Sequence, residues 1–245
     1  MKNSTLLHIP HASTLIPEQY LPSFCAPKLP HETEVMTDWF CDELFDSDRD
    51  RIVFPVSRLV CDVERFRDDR EEIMSKIGMG AIYRSASDGS CLRRTAECET
   101  QEILSRYYDP HHEAFTKAVT EKLEAFGNCL IVDCHSFYPS PLPYELCREA
   151  DRPDFCVGTS DYHTPKKMTE RMVQFFRERG YSVKVNSPFA GTIVPMAYYG
   201  KDKRVRSVMI EVNRKLYMDR PGVKNAQFSA ICSVLRECIG MMESL

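Results

Sequence analysis

Short apolar runs along the chain alternate with longer stretches in which apolar residues recur at helical spacing. The apolar runs are rich in β-branched residues and predict buried strands. They lie at residues 5–9, 51–63, 129–134 and 207–212, and a further strand is predicted at residues 181–185.

The stretches with helical spacing predict amphipathic helices at residues 31–45, 100–126, 164–180 and 225–243. Pro110 interrupts the period of the second helix, whereas Pro165 and Gly180 mark the two ends of the third. Strands that alternate with helices predict an α/β fold with a mixed, mainly parallel sheet covered on both faces. Nothing in the composition divides the chain, so residues 1–245 are expected to form a single domain.

The longest stretch without a periodic pattern runs from residue 69 to residue 95 and contains the segment GMGAIYRSASDGS. Loops of this length are usually functional or mobile. The sequence therefore predicts a long surface loop here.

Charge and hydropathy exclude two classes of partner. The net charge is −4 and no lysine-rich stripe occurs, which argues against a nucleic-acid backbone as the ligand. The apolar runs are far shorter than a bilayer span, so no membrane crossing is expected.

The amino-terminal segment MKNSTLLHIPHAS lacks the apolar and cleavage regions of a signal peptide, which predicts a cytoplasmic protein. The 11 cysteines are scattered and form no CxxC pair, so zinc knuckles are excluded. We expect most of these cysteines to be reduced thiols that pack as small apolar side chains.

Polar side chains directly follow four of the predicted strands. In an open α/β sheet, ligands bind beyond the carboxyl ends of the strands, so these residues are expected to meet in one site. They are His8 and His11 after the first strand, Asp62, Glu64 and Arg65 after the second, Asp133 and His135 after the third, and Glu211, Asn213 and Arg214 after the fourth.

These residue types match the requirements of a metal-dependent hydrolase. Histidines and a carboxylate can hold a catalytic zinc ion with one open position, and a further carboxylate can accept a proton from water. Arginine recognises a substrate carboxylate in a bidentate fashion. A serine hydrolase is disfavoured because no GxSxG elbow occurs, and no glycine-rich phosphate loop of a standard kind is present.

At these residues the sequence resembles the N-formylglutamate amidohydrolase family, from residue 5 to about residue 217. The resemblance implies a three-layer α/β/α fold of the phosphorylase/hydrolase-like type, related to zinc carboxypeptidases and aspartoacylases. It also implies a zinc-dependent cleavage of the amide of a small acidic N-acyl amino acid such as N-formyl-L-glutamate. The matching segments, in order, are HIPHASTLIP, TDWFCDELF, SRLVCDVERF, YDPHHEAF, LIVDCHSF, PDFCVGTSD and MIEVNRKLY.

The resemblance also assigns roles to individual residues. His11 and His135 match metal ligands, and Glu211 matches the general base. Arg65 matches the arginine that holds a substrate carboxylate, and Asp62 would orient it. Glu64 stands where aspartoacylase-like relatives have an asparagine in an Asp-Leu-Asn-Arg element.

The third metal ligand has two candidates. The relatives use a His-x-x-Glu pair, but the residue three positions after His11 is Thr14. Asp38, in the segment TDW, could supply the missing carboxylate, and His8 has a three-residue spacing to His11. We predict Asp38 and keep His8 as the alternative.

Three further residues are predicted at the site. His112 matches a family histidine that would act as a proton relay, and Arg94 could close over an acidic substrate together with Arg93. Arg214 is a candidate substrate contact. The alternative functions are a peptidase or deacylase acting on another acylated amino acid or peptide, and a binding protein without turnover. The sequence does not predict an oligomeric state.

Overall fold

A computed structural model of the chain describes residues 3–245, so residues 1 and 2 of the predicted domain lie outside the described residues. No helix in the described part of the chain combines the length and the apolar character that a membrane span needs. The strands are β1 (Thr5–Ile9), β2 (Asp50–Val53), β3 (Cys129–Phe137), β4 (Phe155–Gly158), β5 (Val183–Val185), β6 (Val205–Asn213), β7 (Met218–Arg220) and β8 (Val223–Lys224). The helices are α1 (Leu29–Met36), α2 (Cys41–Leu44), α3 (Glu97–Ile103), α4 (Asp109–Phe126), α5 (Lys166–Glu178) and α6 (Phe228–Glu243).

The first six strands form one sheet in the order β2-β1-β3-β6-β4-β5, and β7 pairs with β8 in a separate ribbon. Strands β2, β1, β3 and β6 are parallel, whereas β4 runs antiparallel to β6 and carries β5 beside it. The predicted mixed, mainly parallel sheet is therefore confirmed. Strand β4 was not predicted, because its run of apolar residues is very short.

Helices cover both faces of the sheet. Successive residues of a strand point to opposite faces, and in β1 Leu7 joins a core that includes Phe176 of α5 and Ile239 of α6. Its neighbour Leu6 joins a second core with Phe115 and other residues of α4. This arrangement confirms the predicted α/β/α layers.

The predicted strand at residues 51–63 is too long. Strand β2 ends at Val53, and Pro55 then offers no backbone N–H to continue a ladder. The chain turns instead, with the N–H of Val60 donating to the carbonyl oxygen of Ser57 at 2.8 Å. The apolar side chains of this segment are buried in a third core rather than in the sheet.

The predicted surface loop at residues 69–95 is irregular but belongs to the same third core. Its buried side chains include Met79, Tyr83 and Leu92. A 3-10 helix at Ile73–Ile77 and single bridges, such as the one between Ser85 and Cys91, replace regular elements. The sequence did not predict the burial of this segment, because its buried side chains recur at neither the helical nor the strand spacing.

The predicted helix at residues 31–45 is divided into α1 and α2. Between them the N–H of Asp38 donates to the carbonyl oxygen of His11 at 3.0 Å, and Phe40 has a left-handed backbone with φ 62°. These contacts place Asp38 in the break, next to the end of β1. The predicted helix at residues 100–126 becomes α3, a π-helical turn at Leu104–Tyr108, and α4, whose first turn tolerates Pro110.

Candidate active site

A cavity of about 380 Å³ opens at the carboxyl edge of the sheet, beyond β1, β3 and β6. Parallel strands bring their carboxyl ends to the same edge, which is why residues distant in sequence meet here. The polar side chains that line the cavity include His11, Asp38, Glu64, His135, Glu211 and Arg214, together with Arg58 and Arg65.

His11 lies just beyond β1 and presents one free ring nitrogen to the cavity. Its Nε2 lies 2.9 Å from Asp62 Oδ1, whereas its buried Nδ1 has no hydrogen-bond partner among residues 3–245. The nearest carboxylate oxygens are Asp38 Oδ2 at 3.7 Å and Glu64 Oε2 at 3.8 Å. Buried polar atoms are normally paired, so this nitrogen between two carboxylates fits a metal ligand.

His135 lies in β3, where its register partner in β6 is Glu211. Its Nδ1 is 3.0 Å from Asp38 Oδ2, and its Nε2 is 3.0 Å from Asp133 Oδ1 and 3.1 Å from Glu64 Oε1. Burial disfavours the protonated ring, but Glu64 and Asp133 nevertheless raise the pKa of His135 well above its usual value. The carboxylates around this ring therefore favour a positive charge at this position.

The spacing of these donors fits a divalent metal ion. Ligands about 2.1 Å from a tetrahedral ion lie ~3.4 Å apart. The distances of 3.0 and 3.7 Å from Asp38 Oδ2 to the Nδ1 atoms of His135 and His11 bracket that value. His11, Glu64 and His135 bring one donor atom each within 4.8 Å of one another, whereas Asp38 belongs to no such group among residues 3–245 and is supported only by its two pairwise distances. His8 is not part of this group.

Asp62 is buried beneath the cavity and organises several functional side chains. It accepts hydrogen bonds from Arg58 Nη2 at 2.8 Å and from the Tyr83 hydroxyl at 2.7 Å, in addition to its contact with His11. Arg65 Nε lies 3.8 Å away. Although burial opposes ionisation, Arg58 and His11 hold the pKa of Asp62 well below its usual range. Asp62 is therefore ionised, and it contacts His11, Arg58 and Tyr83 in addition to Arg65, the one partner that was predicted.

Two arginines offer unused donors to the cavity. The Nε atoms of Arg58 and Arg65 are buried and have no hydrogen-bond partner within residues 3–245. The side chains as a whole are 13% and 22% exposed, so a ligand in the cavity could contact the exposed part of each arginine, although the Nε atoms themselves are buried. Arg58 was missed in the sequence, where its only signal is its position four residues before Asp62 in SRLVCD.

Arg214 lines the cavity, but its guanidinium group is hydrogen-bonded to other residues of the protein. Its Nη2 donates to Asp38 Oδ1 at 3.1 Å, its Nη1 to the carbonyl oxygen of Val35 at 2.8 Å, and its Nε to Ser136 Oγ at 3.2 Å. All of its nitrogens are therefore engaged. Arg214 thus positions Asp38 at the wall of the cavity, and its predicted contact with the substrate stays a prediction.

Glu211 projects from β6 into the cavity, opposite His135. Its Oε2 is buried and has no partner within the part of the chain that the structure describes. Burial raises its pKa to about 8, with further contributions from neighbours of both signs. A carboxyl group with a pKa near neutrality can both accept and release a proton, as a general base must.

His112 and Arg94 do not line this cavity. His112 Nε2 donates to the carbonyl oxygen of Val63 at 2.9 Å and lines an adjoining cavity of about 290 Å³, which shares Glu64 and Arg65 with the first. Arg94 is exposed and lines neither cavity, whereas its neighbour Arg93 is buried. The structure thus places the predicted substrate contact Arg94 outside the site.

Comparisons with known proteins agree with this architecture. The model of the N-formylglutamate amidohydrolase family matches residues 3–218. An N-formylglutamate deformylase from Pseudomonas putida is 26% identical over 193 residues, which cover 75% of this chain and 71% of that enzyme. The crystal structure of an N-formylglutamate amidohydrolase from Ralstonia eutropha JMP134 superposes with a TM-score of 0.81 at 22% identity, covering 99% of this chain and 93% of that one. A gene product of Agrobacterium tumefaciens superposes with a TM-score of 0.71 at 20% identity, covering 99% and 91%.

Proposed function

Since this chain belongs to the N-formylglutamate amidohydrolase family and is a hydrolase, we propose that it cleaves N-formyl-L-glutamate to formate and glutamate with the help of a divalent metal ion. The observation that carries the proposal is the unpaired Nδ1 of His11, buried between two carboxylates. The same cavity contains Glu211 as a candidate base and two arginines with unused donors.

We assign His11, His135 and Asp38 as the residues that hold the ion. With both histidines ligating through Nδ1, each Nε2–H donates to a buried carboxylate, Asp62 for His11 and Asp133 for His135. Such carboxylate partners fix the ring orientation and increase the basicity of a ligating histidine. When bound here, a divalent ion such as zinc supplies a Lewis acid that polarises the amide carbonyl and lowers the pKa of water.

Glu211 performs the proton transfers in this proposal. Its carboxylate takes a proton from the water molecule that attacks the formyl carbon. It then delivers that proton to the amide nitrogen as the C–N bond breaks, so that the products are formate and glutamate with a free amine. Burial raises the pKa of Glu211, which makes its carboxylate a stronger proton acceptor.

Arg58 and Arg65 bind the carboxylates of the substrate. Both guanidinium groups adjoin Asp62, which fixes their positions, and both side chains line the cavity. N-formylglutamate carries two carboxylates, and charge-assisted bonds to arginine are strong when water is excluded. The pair therefore favours an acidic substrate over a neutral one.

The test is formate release by the purified, metal-loaded chain from a panel of formyl, acetyl and succinyl amino acids. The proposal expects N-formyl-L-glutamate to be cleaved with the highest kcat/KM and N-formyl-L-glutamine to be much poorer. Glu211→Gln should abolish most of the turnover, whereas the exposed Glu124→Gln control should not. Preference for an acetyl or succinyl substrate would contradict the assigned substrate, and full activity of Glu211→Gln would contradict the assigned base.

A further inference from the structure

We propose that the cavity contains a second divalent-cation site, formed by His8, Glu64 and Asp133, beside the one assigned to His11 and His135. The inference deepens the proposed function, because both ions would serve the same cavity. Two of its ligands, His8 and Asp133, are not assigned to the first ion, so the two assignments can fail independently.

The donor atoms of this second group already converge. His8 Nδ1 lies 3.0 Å from Asp133 Oδ1 and 3.7 Å from Glu64 Oε1, and one donor atom of each residue lies within 4.8 Å of the other two. Ligands about 2.1 Å from an ion are ~3.0 Å apart in octahedral and ~3.4 Å apart in tetrahedral geometry. A borderline cation such as Zn²⁺ or Mn²⁺ suits one imidazole and two carboxylates.

The negative charge of two carboxylates at the cavity is not compensated by an arginine or a lysine among residues 3–245, and a cation could compensate it. Asp62 and Asp38 each have an arginine partner, Arg58 and Arg214 respectively. Within residues 3–245, by contrast, the ion-pair partners of Glu64 and Asp133 are histidines only. Buried carboxylates require a compensating charge, and a divalent cation would supply it.

Glu64 is placed to bridge the two sites. Its Oε1 faces His8 at 3.7 Å, whereas its Oε2 faces the unpaired Nδ1 of His11 at 3.8 Å. In two-metal hydrolytic sites the ions lie about 3.5–4 Å apart, a separation that one carboxylate spans. The two oxygens of Glu64 thus offer one ligand atom to each site and a negative charge between them.

His8 and Asp133, the other two proposed ligands, are positioned by contacts with residues outside the site. His8 Nε2 lies 3.0 Å from His111 Nε2, and the His8 ring stacks on Phe115 with centroids 4.7 Å apart. Asp133 Oδ2 accepts the N–H of Ile193 at 3.1 Å, and Oδ1 faces both His8 Nδ1 and His135 Nε2 at 3.0 Å. Such outer contacts are typical of preorganised metal ligands.

The test is the number and position of ions in the reconstituted chain. Metal-free protein is loaded with Zn²⁺, passed through gel filtration and analysed by mass spectrometry for zinc per chain, and crystals are measured at the zinc absorption edge. We expect two ions per chain and two anomalous peaks about 4 Å apart. Glu64→Gln and His8→Phe should each bind one ion, and the exposed Glu124→Gln control should bind two.

The outcomes separate the two assignments. One ion per chain on His11 and His135, unchanged by Glu64→Gln, would overturn the second site and leave the proposed function intact. One ion on His8, Glu64 and Asp133 alone would support the new site and overturn the ligands assigned above. A chain that binds no zinc would overturn both. The anomalous map of the unmodified protein decides the matter if a variant fails to fold.

Discussion

Replacement of Asp62 by asparagine tests whether one buried carboxylate holds the cavity together. The oxygens of Asp62 accept hydrogen bonds from His11, Arg58, the Tyr83 hydroxyl and the backbone N–H of Glu64. Asparagine has nearly the same shape but no charge, and its amide nitrogen would face donors where the carboxylate presented an acceptor. The substitution therefore removes a charge and creates a donor-donor conflict at the same point.

The size of the effect follows from the burial of the partners. Asp62 is fully buried and Arg58 is 13% exposed, so the arginine would remain as a poorly compensated buried charge. Removing one partner of a buried ion pair costs about 3–5 kcal/mol of unfolding free energy. Loss of the carboxylate behind a ligating histidine lowers metal affinity by about 10- to 100-fold, which here applies to His11.

Two measurements on the same variant check this prediction. Urea unfolding of metal-free Asp62→Asn gives the free energy of unfolding, and a zinc titration of the folded protein gives the metal affinity. The matched control is Asp161→Asn, an exposed aspartate that should change neither by more than about 0.5 kcal/mol. If Asp62→Asn unfolds like the unmodified chain and binds zinc equally well, Asp62 does not organise the cavity.

Three further predictions concern single residues. Glu211→Gln should lower kcat by about 10²- to 10⁴-fold with zinc content unchanged, since it removes the proton acceptor; a loss of zinc instead would mark Glu211 as a ligand. Arg65→Met should lower kcat/KM for N-formyl-L-glutamate by about 10-fold or more, mainly through KM, because it removes charge-assisted bonds; equal losses on N-formyl-L-glutamine would place the contact at the α-carboxylate that both substrates carry, and an unchanged KM would refute a carboxylate contact. Burial lowers the pKa of His112 from 6.5 to about 4, so its neutral form stabilises the fold above pH 6.5 and this contribution is lost as the pH falls towards 4. Unfolding between pH 7 and 5 should therefore show a fall in free energy that is about 2 kcal/mol smaller in His112→Gln, and parallel curves would contradict the assignment.

The parts of the site that could be predicted from the sequence are those attached to regular strands. His135 and Glu211 lie on β3 and β6, whose long apolar runs mark both the strands and their carboxyl ends. His11 follows β1 so closely that the strand alone fixes its position. For these residues the sequence pattern predicts that the side chains lie close together, because parallel strands end at a common edge of the sheet.

The parts that escaped prediction depend on irregular backbone. Arg58 lies in the turns after β2, where the chain follows the packing of the third core and no strand or helix period; Glu64, in the same segment, was predicted at the site but not as a metal ligand. Arg93 and Arg94 are adjacent and chemically alike, yet one is buried and the other exposed. Only tertiary contacts, such as the 2.7 Å bond from Arg93 Nη2 to Glu99, decide between them.

The pairing of charges divides the carboxylates of the cavity into two kinds. A carboxylate bonded to an arginine, as Asp62 is to Arg58, carries a permanent counter-charge and belongs to the scaffold whether or not an ion is bound. Glu64 and Asp133 are paired with histidines, whose ring nitrogens can exchange a proton for a metal ion. Substitution of the first kind should therefore be felt in unfolding, and also in metal affinity where the carboxylate contacts a proposed ligand histidine, as Asp62 contacts His11. Substitution of the second kind should be felt mainly in metal content. Asp38 lies between the two classes, since one oxygen accepts from Arg214 and the other faces both histidines that we propose as ligands. We therefore expect substitution of Asp38 to change both the metal content and the free energy of unfolding.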